Sequence, residues 1–153
     1  MKARYHAGTI AQWFINRAYM DVDNGGEMMT HLKLQKLLYY AQGCYSAMKG
    51  KALFDDKIYA WQHGPVVPAV YSVYKEYGAN PIKDTAPVEI DEDTEAVLEQ
   101  VYQVFGQFSA LKLREMTHNE TPWKTTENGK EIPTKVITEF FKQNYITQAD
   151  DGN

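Results

Sequence analysis

Two short segments carry side chains able to do chemistry. One is Ala60-Trp61-Gln62-His63-Gly64-Pro65-Val66-Val67-Pro68; the other is Leu113-Arg114-Glu115-Met116-Thr117-His118-Asn119-Glu120-Thr121-Pro122-Trp123. Each joins a histidine, a tryptophan and a proline-fixed turn. If the fold brings them together, an imidazole can donate a hydrogen bond or act as a base, with Glu120 as its partner and Trp61 and Trp123 as walls. An enzyme of this kind would be a small hydrolase-like one using His63, His118 and Glu120. A second reading needs no chemistry. The histidines then satisfy backbone carbonyls, and the indoles fill gaps beneath irregular connections. The residues alone leave both readings open.

Other chemistries find little support. His6, His31, His63, His118 and Cys44 are the candidate zinc ligands, and none sits at Cys-x-x-Cys, His-x-x-x-His or His-Glu-x-x-His spacing. There is no phosphate-binding glycine loop and no G-x-S-x-G elbow. The lone Cys44 lies beside an apolar helical stripe and reads as a small core residue. No cofactor, metal or catalytic residue is expected.

The elements that must hold these segments are mostly helical. Thr9 opens a helix to about Met20, and Asp23-Asn24-Gly25-Gly26 breaks the chain. Thr30 caps the strongest helix, whose Leu34, Leu37, Leu38, Ala41, Tyr45 and Met48 form a core stripe before Gly50 ends it. Lys57 to Gln62 is β-prone but short. Pro68 starts a third helix to Gly78. Asp91 or Asp93 caps a fourth to about Phe108, and Ser109 a fifth to about Thr117. Thr121 to Trp123 reads as irregular, and Glu127 to Lys130 as a tight turn. Pro133 opens a last helix to about Tyr145. The expectation is a mainly α, compact single-domain bundle of about six helices with at most a small β element, its core at about 9–145 and a polar tail at 147–153.

At 153 residues and 17.6 kDa, with 44% apolar and 13% aromatic residues, the chain can bury a real core. One cysteine permits no intrachain disulfide, and a reducing cytoplasm fits that usage. No apolar run approaches the length of about 20 residues needed to span a bilayer, and the N-terminus lacks the apolar region of a secretory signal. Charge divides at Gly78: nine Lys and Arg against six Asp and Glu before it, seven against fourteen after. Lys33 and Lys36 give the best local support for a DNA-binding autoregulator, but the net charge of −4 argues against nucleic acid as a partner. The cluster Glu89, Asp91, Glu92, Asp93 and Glu95 fits a helix N-terminus, where carboxylates meet the positive end of the dipole.

Three blocks are similar to a known family. Lys33-Leu34-Gln35-Lys36-Leu37-Leu38-Tyr39-Tyr40-Ala41-Gln42-Gly43 resembles the opening signature of the Panacea domain family, a phage-associated, GepA-like antitoxin family. The run from Phe54 to Tyr71, with Trp61-Gln62-His63-Gly64-Pro65 at its centre, resembles the second block, and Thr117-His118-Asn119-Glu120-Thr121-Pro122-Trp123 the third. The blocks keep the family's order and leave no long flanking segment for a separate DNA-binding domain. The resemblance implies an antitoxin that neutralises a cognate toxin, encoded next to it, by direct protein binding. It carries no catalytic residue. The candidate partner-binding or signature residues are Lys36, Tyr39, Trp61, His63, Gly64, Pro65, Tyr71, Thr117, His118, Glu120 and Trp123.

Overall fold

The helix with the strongest apolar stripe is the centre of the molecule. In the computed structural model, which describes residues 2–146, α2 (His31–Lys49) starts where the Thr30 hydroxyl accepts from the Lys33 N–H. It stops at Gly50, whose φ of 74° and N–H bond to Ser46 close the last turn. Five helices and a strand pack around it, so burial extends beyond the stripe to Gln35, Lys36, Gln42 and Ser46. The buried Gln42 amide is partnered at both ends, the Gln35 amide at its oxygen only. Gln42 donates to the Phe54 carbonyl at 2.8 Å and accepts from the Leu53 N–H at 2.7 Å, while Gln35 accepts from the Val67 N–H at 2.8 Å. Met48, expected on the core stripe, is instead 44% exposed.

The helices packed on α2 are α1 (Ala7–Met20), α3 (Pro68–Tyr74), α4 (Glu92–Phe105), α5 (Ala110–His118) and α7 (Thr134–Asn144). Side-chain caps mark the starts of α4 and α5. Asp91 accepts from the Thr94 N–H, and Ser109 from the Lys112 N–H. Pro133 is the cap residue of α7. Against α7 the approach is closest at Gly43, where a Cβ would sit 2.4 Å from the Phe141 ring. Tyr40 stacks on Phe105 at 4.0 Å between α2 and α4.

The β-prone piece is a strand. β1 (Ile58–Trp61) pairs antiparallel with β2 (Gly64–Val66) on one side and β3 (Glu131–Ile132) on the other, in the order β2-β1-β3. Gln62 and His63 form the turn between β1 and β2, and Pro65 is tolerated because β2 is an edge strand. Thr121 to Lys124, read as irregular, is a short helix, α6, with Pro122 in its first turn. That makes seven α-helices among the described residues rather than six, plus 3-10 turns at Val22–Asn24 and Lys75–Tyr77. α1 begins two residues before Thr9, and α4 ends at Phe105 rather than Phe108. The class is mainly α with a small sheet, as expected. The polar tail at 147–153 lies outside the described residues.

Candidate functional site

The β1–β2 hairpin, the start of α2 and α3 enclose a surface cavity of about 320 Å³. Lys36, Trp61, His63 and Tyr71 line it, together with Leu32, Gln62, Val66 and the turn residues Asn128 and Gly129. Trp61 and Tyr71 meet edge to face with centroids 5.0 Å apart, and His31 also meets Tyr71 edge to face, at 5.5 Å. The 128–129 turn is tied to the sheet: Gly129 N–H donates to the Ala60 carbonyl at 2.6 Å, and Ala60 N–H donates to Lys130 at 2.9 Å.

Gly64 and Lys36 fit together closely. Gly64 has φ +116°, and a Cβ there would lie 2.8 Å from Lys36 Cε and 3.0 Å from Thr117 Oγ1. The bare α-carbon lets the lysine stem pass beneath the hairpin. Directly beneath Gly64 lie Lys36 and Thr117, and the Trp61 ring lies against Tyr71. Lys36 is 2% exposed. Its ammonium makes one long hydrogen bond, to the Pro65 carbonyl at 3.4 Å, and among the described residues no carboxylate lies within 4 Å of it. Burial first, and then the Arg114 charge, push its pKa down to about 8. It still holds its proton at neutral pH.

The second histidine braces this wall. His118 stacks on Trp123 at 4.0 Å and 11°, and Trp123 Nε1 donates to the Trp61 carbonyl at 2.7 Å. Burial, with the Arg114 charge next, lowers the His118 pKa. His63 stands exposed on the turn. Thr117 is fully buried and bonds the Arg114 carbonyl at 2.9 Å.

Glu120 and Tyr39 belong elsewhere. The Glu120 carboxylate accepts from Tyr39 at 2.9 Å, from Tyr40 at 3.0 Å and from Tyr145. It is 6% exposed, and burial raises its pKa above the ordinary 4.5 despite these bonds. The expected pairing of Glu120 with an imidazole is therefore corrected, because three phenols occupy its oxygens. The hydrolase-like set of His63, His118 and Glu120 loses its acid. Cys44 is buried, with its thiol pushed up to about 12 by desolvation and the nearby Glu120 charge.

Neither lysine offered for DNA serves a phosphate-binding surface. Lys36 is buried, and Lys33 is half-buried and donates to the Gly106 carbonyl at 2.6 Å. The acidic cluster is a helix start: Asp91 caps α4, and Glu95 accepts from Trp13 Nε1 at 2.8 Å. Among the described residues no group of three or more His, Cys, Asp or Glu is placed to hold a metal ion, and no helix is long and apolar enough to cross a membrane.

Sequence reasoning missed Leu32, Asn128 and His31 as parts of this region, and gave no role to Val66 and Arg114 within the two segments it singled out. The Glu127–Lys130 turn was legible, but nothing in its spacing tied it to the hairpin.

This helical domain, with its aromatic-walled cavity over a buried lysine, has a known family. The chain belongs to the family described as antitoxin SocA-like, Panacea domain, whose model matches residues 34–124. It is similar to Antitoxin SocA of Caulobacter vibrioides (strain NA1000 / CB15N), 31% identical, with 74% of this chain and 72% of that protein covered. No solved structure gives a significant match.

Proposed function

We propose that this chain is an antitoxin that neutralises a cognate toxin, encoded beside it, by direct protein binding in the cytoplasm. The observation that carries this reading is membership of the antitoxin family. Two features of the site support a binding role over a catalytic one. The carboxylate nearest the histidines in sequence is sequestered by tyrosines. The exposed edge of the cavity presents tryptophan, tyrosine and histidine, residue types suited to anchoring an interface.

Expression of the neighbouring gene alone should arrest growth, and co-expression of this chain should restore it. The two proteins should co-purify as a stable complex. A neighbour that is harmless alone and does not co-purify would remove the reading.

His63 gives a finer test. It is exposed on the hairpin turn, and no hydrogen bond of its side chain is found among the described residues. His63→Ala should change stability by no more than about 0.5 kcal/mol and weaken toxin binding roughly ten-fold. A large fall in melting temperature with toxin affinity intact would make His63 a structural residue.

A further inference from the structure

The cavity beside the hairpin has a charge in its floor and nothing of opposite sign to meet it. A buried ammonium is normally paired, because desolvating it without a partner is costly. Lys36 is 2% exposed, has three protons to donate, and makes a single bond at 3.4 Å. The charges near it are of its own sign: Arg114 depresses its pKa, and Lys36 and Arg114 both depress that of His118.

A second observation is independent of Lys36. Four buried side-chain nitrogens among the described residues lack a hydrogen-bond partner: His31 Nδ1, Gln35 Nε2, Arg114 Nε and His118 Nε2. All four lie on α2 and α5, the helices that meet beneath the hairpin. Buried polar atoms are nearly always satisfied; of these four, Gln35 Nε2 and Arg114 Nε can only donate, so two donors behind the cavity wall are short of an acceptor, while a neutral imidazole's bare nitrogen asks for a donor instead.

The walls narrow the choice of anion. Leu32, Val66, Trp61 and Tyr71 present apolar surface around the opening. A small hydrated ion would gain nothing from them. A carboxylate on a methylene stem would bury the stem against the rings and bring its oxygens to the ammonium. A volume of about 320 Å³ has room for one such side chain.

We propose that this cavity is the socket for an acidic side chain of the toxin, an Asp or Glu whose carboxylate pairs with Lys36. The proposal rests on the antitoxin reading above. It locates the contact at the hairpin cavity and makes Lys36 the residue that recognises the partner's charge.

The test measures the affinity of the purified protein for the purified product of the neighbouring gene. Lys36→Met keeps the length of the stem and removes the charge, and should weaken binding at least ten-fold. Leu32→Glu sets a carboxylate at the cavity rim, in the first turn of α2 where a negative charge suits the helix. It should compete for Lys36 and weaken binding similarly, and it carries the test if Lys36→Met does not fold. Conversion of each toxin Asp and Glu to its amide should then reveal one position whose loss weakens binding to the wild-type chain but not to the Lys36 variant.

Wild-type chain that binds with both variants within two-fold of it would overturn the socket while leaving the antitoxin reading standing. A weakened Lys36 variant with no coupled toxin carboxylate would overturn it too, since Lys36 would then only shape the hairpin. Wild-type chain that binds no toxin would overturn the antitoxin reading and the socket with it.

Discussion

Gly64→Val should destabilise the protein by roughly 2–5 kcal/mol in urea unfolding. Two effects combine. The backbone φ of +116° is one that a β-branched residue adopts only under strain. The new Cβ would also press on Lys36 Cε at 2.8 Å and Thr117 Oγ1 at 3.0 Å. Gly129→Val separates them. Gly129 has φ +87°, but a Cβ there meets nothing within 4 Å. It should show the backbone strain without the clash, and so lose about 1–3 kcal/mol less. Equal losses for the two variants would mean that Lys36 swings aside. The lysine would then not be held beneath the hairpin, and Gly64 would matter only for its dihedral angles.

Local signals were the most legible part of this fold. Thr30 and Ser109 were readable as caps, and Asp91 as one of two candidates with Asp93, because a cap is made by a side chain and an amide three residues on. The α2 stripe followed from the 3.6-residue period. What the period could not show is that α2 is surrounded. An amphipathic pattern predicts one buried face, yet Gln35, Gln42 and Ser46 are buried too and held by backbone or side-chain partners. Short elements were the least legible. β3 has two residues and exists through its pairing with Ile58 and Tyr59, over 70 positions earlier. α6 is a single turn whose Pro122 reads equally well as a loop residue.

The candidate site was half legible for the same reason. Trp61, His63 and Tyr71 were singled out together, and one cavity holds all three. Glu120 was assigned to the wrong neighbour. It stands two positions from His118, and closeness in sequence made the imidazole its natural partner. The turn into α6 instead directs the carboxylate inward to Tyr39 and Tyr40, about 80 positions away. Lys36 misled in the opposite sense. On sequence a lysine beside an apolar stripe reads as solvated, and only the hairpin folded over it makes it a buried charge.

Glu120→Gln tests the other buried charge through its pH dependence. Two influences oppose each other at this carboxyl: burial disfavours the ionised form, and three phenol O–H donors favour it. Burial is the larger, so the folded-state pKa lies above the ordinary 4.5. The folded state therefore holds this proton to higher pH than the unfolded state. Its contribution to stability is fully present below about 4.5 and is lost as pH rises through the folded value. Asp21, Asp91 and Glu99 act in the opposite direction, because hydrogen bonds and Arg17 or Arg4 hold their pKa values low. Those contributions are common to both proteins and cancel in the comparison. Glutamine keeps the shape and one acceptor but cannot ionise. At acidic pH the variant should be less stable by roughly 1–3 kcal/mol, since one phenol then faces an amide N–H in place of an acceptor. As pH rises above 4.5 the gap should narrow, because only the wild type must ionise a buried group. Unfolding of both proteins between pH 4 and 8 measures this directly. A gap that widens with pH would show that the three phenols outweigh burial and that Glu120 is held as a stabilised anion.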